Sequence, residues 1–123
     1  MKKISQLTSS DCGVAAVAMV AGVPYQVARA IIFPRGPRPY GRFSTTGDDL
    51  KRAMKFLGVK FARRFVRCKG DPSALEESAI LSTIIRTDRH WVVWDHDQQR
   101  LLDPWPGGHK RLTVLSALYV VPR

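Results

Sequence analysis

The segment Gln6-Leu7-Thr8-Ser9-Ser10-Asp11-Cys12-Gly13 and the run Val14-Ala15-Ala16-Val17-Ala18-Met19-Val20-Ala21 behind it constrain this chain more than any other stretch. The run has no polar face to offer water, so the helix it predicts is buried on every side. The polar residues ahead of it read as a loop, which places Cys12 in the first turn of that helix. There the positive end of the helix dipole favours the thiolate, the form in which cysteine acts as a nucleophile.

A chain of 123 residues that is 45% hydrophobic fits one domain, 1–123, around a single core. No stretch approaches the roughly 20 apolar residues that cross a bilayer, and Met1-Lys2-Lys3 leads directly into polar residues. Neither a membrane span nor a secretory signal is visible, so the expected location is cytoplasmic. In that reducing compartment Cys12 and Cys68 are expected as free thiols. No CxxC spacing supports a metal site built from Cys68, His96 and His109, and neither metal nor cofactor is expected.

The net charge of +10 is concentrated. From Arg29 to Lys69 there are twelve Lys and Arg against Asp48 and Asp49, while the remainder of the chain is balanced. One reading is a basic face that draws an acidic partner or nucleic acid, with Phe33, Tyr40 and Phe43 interleaved for stacking. The other is a solvated surface that keeps a small protein soluble.

Gly22-Val23-Pro24 ends the first helix, and Pro24 suits the entry to a second over Tyr25 to Ile32. Phe33 to Ser44, with three prolines and two glycines, reads as a mobile loop. Thr46 with Asp49 resembles a capping box, and Leu50, Ala53, Met54 and Leu57 follow at helical spacing until Gly58. Val59 to Val66 reads as a strand. Lys69-Gly70-Asp71-Pro72-Ser73 is a turn before a short helical piece at Ala74 to Ser78. Ala79 to Arg86, His90 to Trp94, Arg100 to Asp103 and Ala117 to Val121 are β-branched or aromatic runs divided by turn residues. Helices first and an antiparallel sheet afterwards predict an α+β fold.

A cysteine nucleophile needs a base, a group to orient the base, and donors for the oxyanion. Of the three histidines, His96 falls in a turn and His109 follows Pro106-Gly107-Gly108, which leaves His90 as the one on a rigid element. If the hairpin turn is centred between His96 and Asp97, Trp94 opposes Gln99, Val92 opposes Leu101, and His90 opposes Asp103. Opposed side chains about 5 Å apart would let Asp103 hold one imidazole nitrogen and leave the other for the thiol. An Asp before a Pro is also the ordinary start of a turn.

Gln6, five intervening residues and Asp11-Cys12-Gly13 closely resemble the nucleophile segment of papain-like cysteine peptidases of the bacteriocin-processing, double-glycine-leader type. Thr45-Thr46-Gly47-Asp48-Asp49-Leu50 through Leu57-Gly58 is similar to that family's middle helix. His90-Trp91-Val92-Val93 and Leu102-Asp103-Pro104 with Gly107-Gly108 are similar to its histidine strand and aspartate-proline segment. The resemblance implies a papain-like α+β fold, N-terminal helices on a C-terminal antiparallel sheet. It implies Cys12 as nucleophile, His90 as general base and acid, Asp103 as orienting group, and an oxyanion hole from Gln6 and the Cys12 N–H. The chain departs from the family in Val14-Ala15-Ala16-Val17, where many members carry a second cysteine or a leucine, and in the arginine-rich loop Pro34 to Arg42.

The expected activity is hydrolysis of a peptide or amide bond through a Cys12 thioacyl intermediate. Amidases and transpeptidases run the same intermediate, and the motif does not specify the acceptor. A peptide or protein substrate is implied, with a glycine-rich scissile site following from the family likeness alone. The rival expectation is a catalytically idle papain-like module that binds an acidic partner or nucleic acid through residues 29–69.

Overall fold

The computed structural model describes residues 1–68 and 70–123. Lys69, placed above at a turn and at the end of the basic stretch, lies outside the described residues. The α+β order is as expected. Helices α1 (Cys12–Ala21), α2 (Tyr25–Ile32) and α3 (Gly47–Phe56) come first. Strands β1 (Lys60–Phe61), β2 (Val66–Arg67), β3 (Ala79–Ile85), β4 (Asp88–Asp95), β5 (Arg100–Leu102) and β6 (Thr113–Val121) follow. Among the described residues no single helix is long and apolar enough to cross a membrane.

All ten residues of α1 are buried, as a helix with no polar face requires. It ends where Val23 N–H bonds Ala18 O and Gly22 N–H bonds Met19 O, a closure that needs the left-handed conformation of Gly22, φ 66°. Helix α3 starts on the capping box anticipated above: Thr46 Oγ1 accepts Asp49 N–H at 3.2 Å and Asp49 Oδ2 accepts Thr46 N–H at 2.9 Å.

The sheet order is β1-β6-β3-β4-β5, all neighbours antiparallel, with β2 also on β6. Side chains alternate across it. Ile80, Val93, Leu102, Leu118 and Val120 meet the helices on one face, while Leu81, Val92, Trp94, Val114 and Ala117 form a smaller apolar layer on the other.

The expected strand Val59 to Val66 is instead two short pieces on the same edge of β6. The register slips by two residues between them at the bend Arg63–Arg64, because Phe65 leaves the strand line to pack on Trp91 at 5.7 Å. The helical piece expected at Ala74 to Ser78 is a 3₁₀ turn at Pro72–Ala74, begun by Asp71 accepting Ser73 N–H. The last strand begins at Thr113, four residues before the expected Ala117. The loop Phe33 to Ser44 is tied down. Arg38 bonds Ser44 O and pairs with Asp49 at 2.7 Å, Arg38 and Arg42 form a β-bridge, and Phe33 packs edge-on against buried Phe43.

Candidate active site

Asp11, just ahead of α1, is fully buried and does not cap the helix with its side chain. A buried carboxylate must find donors, and those of Asp11 lie behind it in the chain. Leu7 N–H and Thr8 N–H each donate at 3.0 Å, and the Tyr25 hydroxyl from α2 donates to Oδ2. Burial, then the bond to Asp11, push the Tyr25 phenol well above its ordinary value and keep it a donor. The loop is thereby folded back on the helix start, with Cys12 at its head.

Gly13 is required by close approach: a Cβ there would meet Thr45 Oγ1 at 1.9 Å and Leu50 Cδ2 at 3.1 Å. The motif Asp-Cys-Gly thus combines a carboxylate that folds the loop, the thiol, and a gap that admits Thr45.

Cys12 is buried and free, and so is the half-buried Cys68 free of a disulfide. Pairing of β5 with β4 stops at Val93–Leu102, which leaves the outer edge of β4 open alongside His90 and Trp91. Cys12 occupies that edge. The Trp91 N–H, which a longer β5 would have engaged, is directed at Cys12 Sγ at 3.4 Å. The Trp91 indole is held by Thr45 O, and the Thr83 hydroxyl on β3 donates to His90 O at 2.8 Å. The His90–Trp91 segment of β4 is therefore fixed on both sides.

His90 Nε2 lies 2.6 Å from Asp103 Oδ1, both side chains buried. The expected pairing of His90 opposite Asp103 is corrected. The register pairs Asp95 with Arg100, Trp94 with Leu101 and Val93 with Leu102, two residues away from that alignment. The cause is the turn. It spans His96 to Gln99, with Gln99 in the left-handed region at φ 51°, one residue further along than assumed. A two-residue slip preserves the face, so His90 and Asp103 remain diagonal neighbours.

Asp103 is satisfied on both oxygens. Oδ1 also accepts Trp105 N–H at 2.9 Å, while Oδ2 accepts His109 N–H at 2.9 Å and lies 2.8 Å from His109 Nδ1. The segment Asp-Pro-Trp-Pro-Gly-Gly-His is built for this. Gly107 at φ 80° and Gly108 at φ 71° turn the chain back, and Gly108 N–H closes on Trp105 O. Burial alone would raise the Asp103 carboxyl, but the donors from His90, Trp105 and His109 outweigh it and hold it near 2. Burial lowers His90, and its hydrogen bonds to Asp103 and then Cys12 overcome that and lift it to about 9. His109, set aside in the sequence as a loop residue, is the missed neighbour, its ring edge-on to His90 at 4.9 Å. The paired glycines were the available signal, since they return the chain to its own start.

Cys12 and His90 open into a cleft of about 520 Å³ whose walls include Thr45, Trp91, Arg42 and Arg89. Gln6 is not in that wall. It lines an adjoining groove with Leu7, Trp105 and Pro106, and the two share Ser9. Its backbone N–H bonds Pro104 O at 2.8 Å, beside Asp103, and its buried Nε2 donates to Thr8 O at 2.7 Å. The Cys12 N–H, in the first turn of α1, makes no hydrogen bond among the described residues.

His90, Asp103 and His109 present ligand atoms within 4.8 Å of one another, a set that could hold a metal ion, although each is engaged in the hydrogen bonds above. His96 is elsewhere, in the β4–β5 turn beside Gln99. Of the aromatics offered above for stacking, Tyr40 is 97% exposed, whereas Phe43 is buried beneath Arg29.

No protein-family model and no curated protein sequence matches the chain. Among solved structures it is similar to the peptidase domain of Streptococcus ComA, a bi-functional ABC transporter involved in a quorum-sensing pathway. The TM-score is 0.66 at 21% identity, over 99% of this chain and 98% of that one. The chain has the papain-like fold.

Proposed function

We propose that this chain is a cysteine peptidase in which Cys12 is the nucleophile, His90 the general base and acid, and Asp103 the group that orients His90. One observation carries the reading: a thiol at the head of a buried helix, bonded by the Trp91 N–H at an open strand edge, lines one cleft with a histidine that Asp103 holds from behind. Because Asp103 engages Nε2, Nδ1 is the ring nitrogen left to act on the thiol. With His90 lifted to about 9, its imidazole is the acceptor for the proton that Cys12 Sγ gives up on attack, and the imidazolium carries the countercharge.

In this mechanism Sγ adds to the scissile carbonyl carbon, and His90 passes its proton to the departing amine as the C–N bond breaks. The resulting thioester is opened by water, which gives a proton to His90 and its hydroxyl to the acyl carbon; the C–S bond breaks to free the carboxyl product, and His90 returns the proton to Sγ. The oxyanion formed at each addition would take the Cys12 N–H, and Gln6, whose Nε2 donates to Thr8 O from the adjoining groove, would have to turn its amide toward Cys12 to add a second donor. The ComA likeness supports a peptide as substrate.

The test is mass spectrometry of a diverse peptide library incubated with the wild type and with Cys12→Ala. The reading expects defined cleavages that vanish in the variant. Equal cleavage by both proteins overturns it.

A further inference from the structure

The cleft at Cys12 is charged. Arg42, from the Phe33–Ser44 loop, and Arg89, on β4, both line it, and neither guanidinium has a salt-bridge or hydrogen-bond partner among the described residues. Arg38 and Arg52, by contrast, are spent on Asp49, and Arg29 lies over the Phe43 ring. Most of the remaining wall is hydroxyl-bearing: Ser9, Ser10, Ser44, Thr45 and Ser82. Asp88 is the one acid in the wall among the described residues, so two arginines against one carboxylate leave the cleft positive.

We infer that this cleft is a carboxylate-binding subsite, so that the substrate carries an acidic side chain or its own C-terminal carboxylate close to the scissile bond. The inference rests on the peptidase reading for the word substrate, but the binding chemistry stands on the cleft alone. A guanidinium forms charge-assisted, often bidentate hydrogen bonds to a carboxylate, and the hydroxyls supply neutral donors around it. A cleft of about 520 Å³ has room for a side chain of that size together with the backbone leading to it. Arg42 and Arg89 come from different elements, so a bound carboxylate would also fix the substrate between the loop and the strand that bears His90.

The experiment measures binding to the Cys12→Ala protein, which needs no turnover. The probes are fluorescent decapeptides in a glycine–alanine host, with Asp or Asn at each position in turn and a free or amidated C-terminus. Asp over Asn, or free acid over amide, should tighten binding about tenfold or more. The position of the effect separates a side chain from a chain end. Arg42→Gln with Arg89→Gln should abolish the preference, and Arg42→Glu with Arg89→Glu should turn it toward Lys peptides. Arg63→Gln with Arg64→Gln, an equal loss of charge outside the cleft, should preserve it. Absence of any acid preference, or a preference that survives loss of Arg42 and Arg89, overturns the inference. So does an oligonucleotide that binds through the same arginines more tightly than every acidic peptide. Acid-selective binding with no wild-type cleavage would instead overturn the peptidase reading alone, and cleavage without acid selectivity would overturn the subsite alone.

Discussion

His90 and Asp103 are joined by a 2.6 Å contact although they do not face each other across the hairpin. The link is diagonal, and it is stiffened from behind because Asp103 Oδ2 is occupied by both the backbone and the ring of His109. The arrangement makes Asp103→Asn far from conservative. An amide has one acceptor, so its NH₂ must be set either against His90 and the Trp105 N–H or against the His109 N–H. We predict a loss in kcat on the order of 10²–10⁴ with the fold retained, by analogy with loss of the orienting carboxylate in other triads. Steady-state kinetics alongside circular dichroism checks this, and an unchanged kcat contradicts it.

The pH dependence follows from His90. Its pKa in the folded chain is raised from 6.5 to about 9, so the protonated form persists through neutrality and is lost as pH rises through about 9. The rate kcat/KM should therefore fall on an alkaline limb near 9. The stability linked to this group is fully present below about 6.5 and is lost over the same rise. Asp103 acts in the opposite direction: its contribution is present above 3.8 and lost as pH falls through about 2. A kcat/KM profile with its alkaline limb near 6.5 contradicts the assigned ion pair.

Gly13→Ala is predicted to destabilise the chain by about 1–3 kcal/mol or more, because the new methyl meets the β-branched, partly buried Thr45 and not the end of a flexible side chain. Chemical denaturation of the variant measures this. Restored stability in Gly13→Ala with Thr45→Ser or Thr45→Ala would identify the clash, with Thr45→Ala the stronger rescue. A Gly13→Ala protein as stable as the wild type would contradict the packing described.

The helices were readable in the sequence because each carries its own punctuation: the apolar run of α1 closed at Gly22, Pro24 at the start of α2, and the Thr46–Asp49 box of α3. Cys12, His90 and Asp103 stand in local motifs, which is why the sequence alone singles them out as candidates. What escaped depended on distant partners. The strand read at Val59 to Val66 broke because Phe65 serves Trp91, which lies in another strand. The hairpin register turned on Gln99 adopting a left-handed conformation that its residue type does not advertise. His109 was passed over because a loop histidine gains meaning only once the two glycines before it bring it back to Asp103. Gln6 was placed by family likeness, and its groove beside Trp105 depends on the Pro104 contact, which no local pattern encodes.

The central claim is that His90 activates Cys12, and site-resolved alkylation tests it most directly. Cys12 is 7% exposed while Cys68 is half-buried, so accessibility alone would favour modification of Cys68. With iodoacetamide near neutral pH, quantified by peptide mass spectrometry, the account predicts Cys12 to react much faster than Cys68 in the wild type. It predicts that this advantage disappears in His90→Ala. Equal slow labelling of both thiols, or a Cys12 advantage indifferent to the loss of His90, would contradict it.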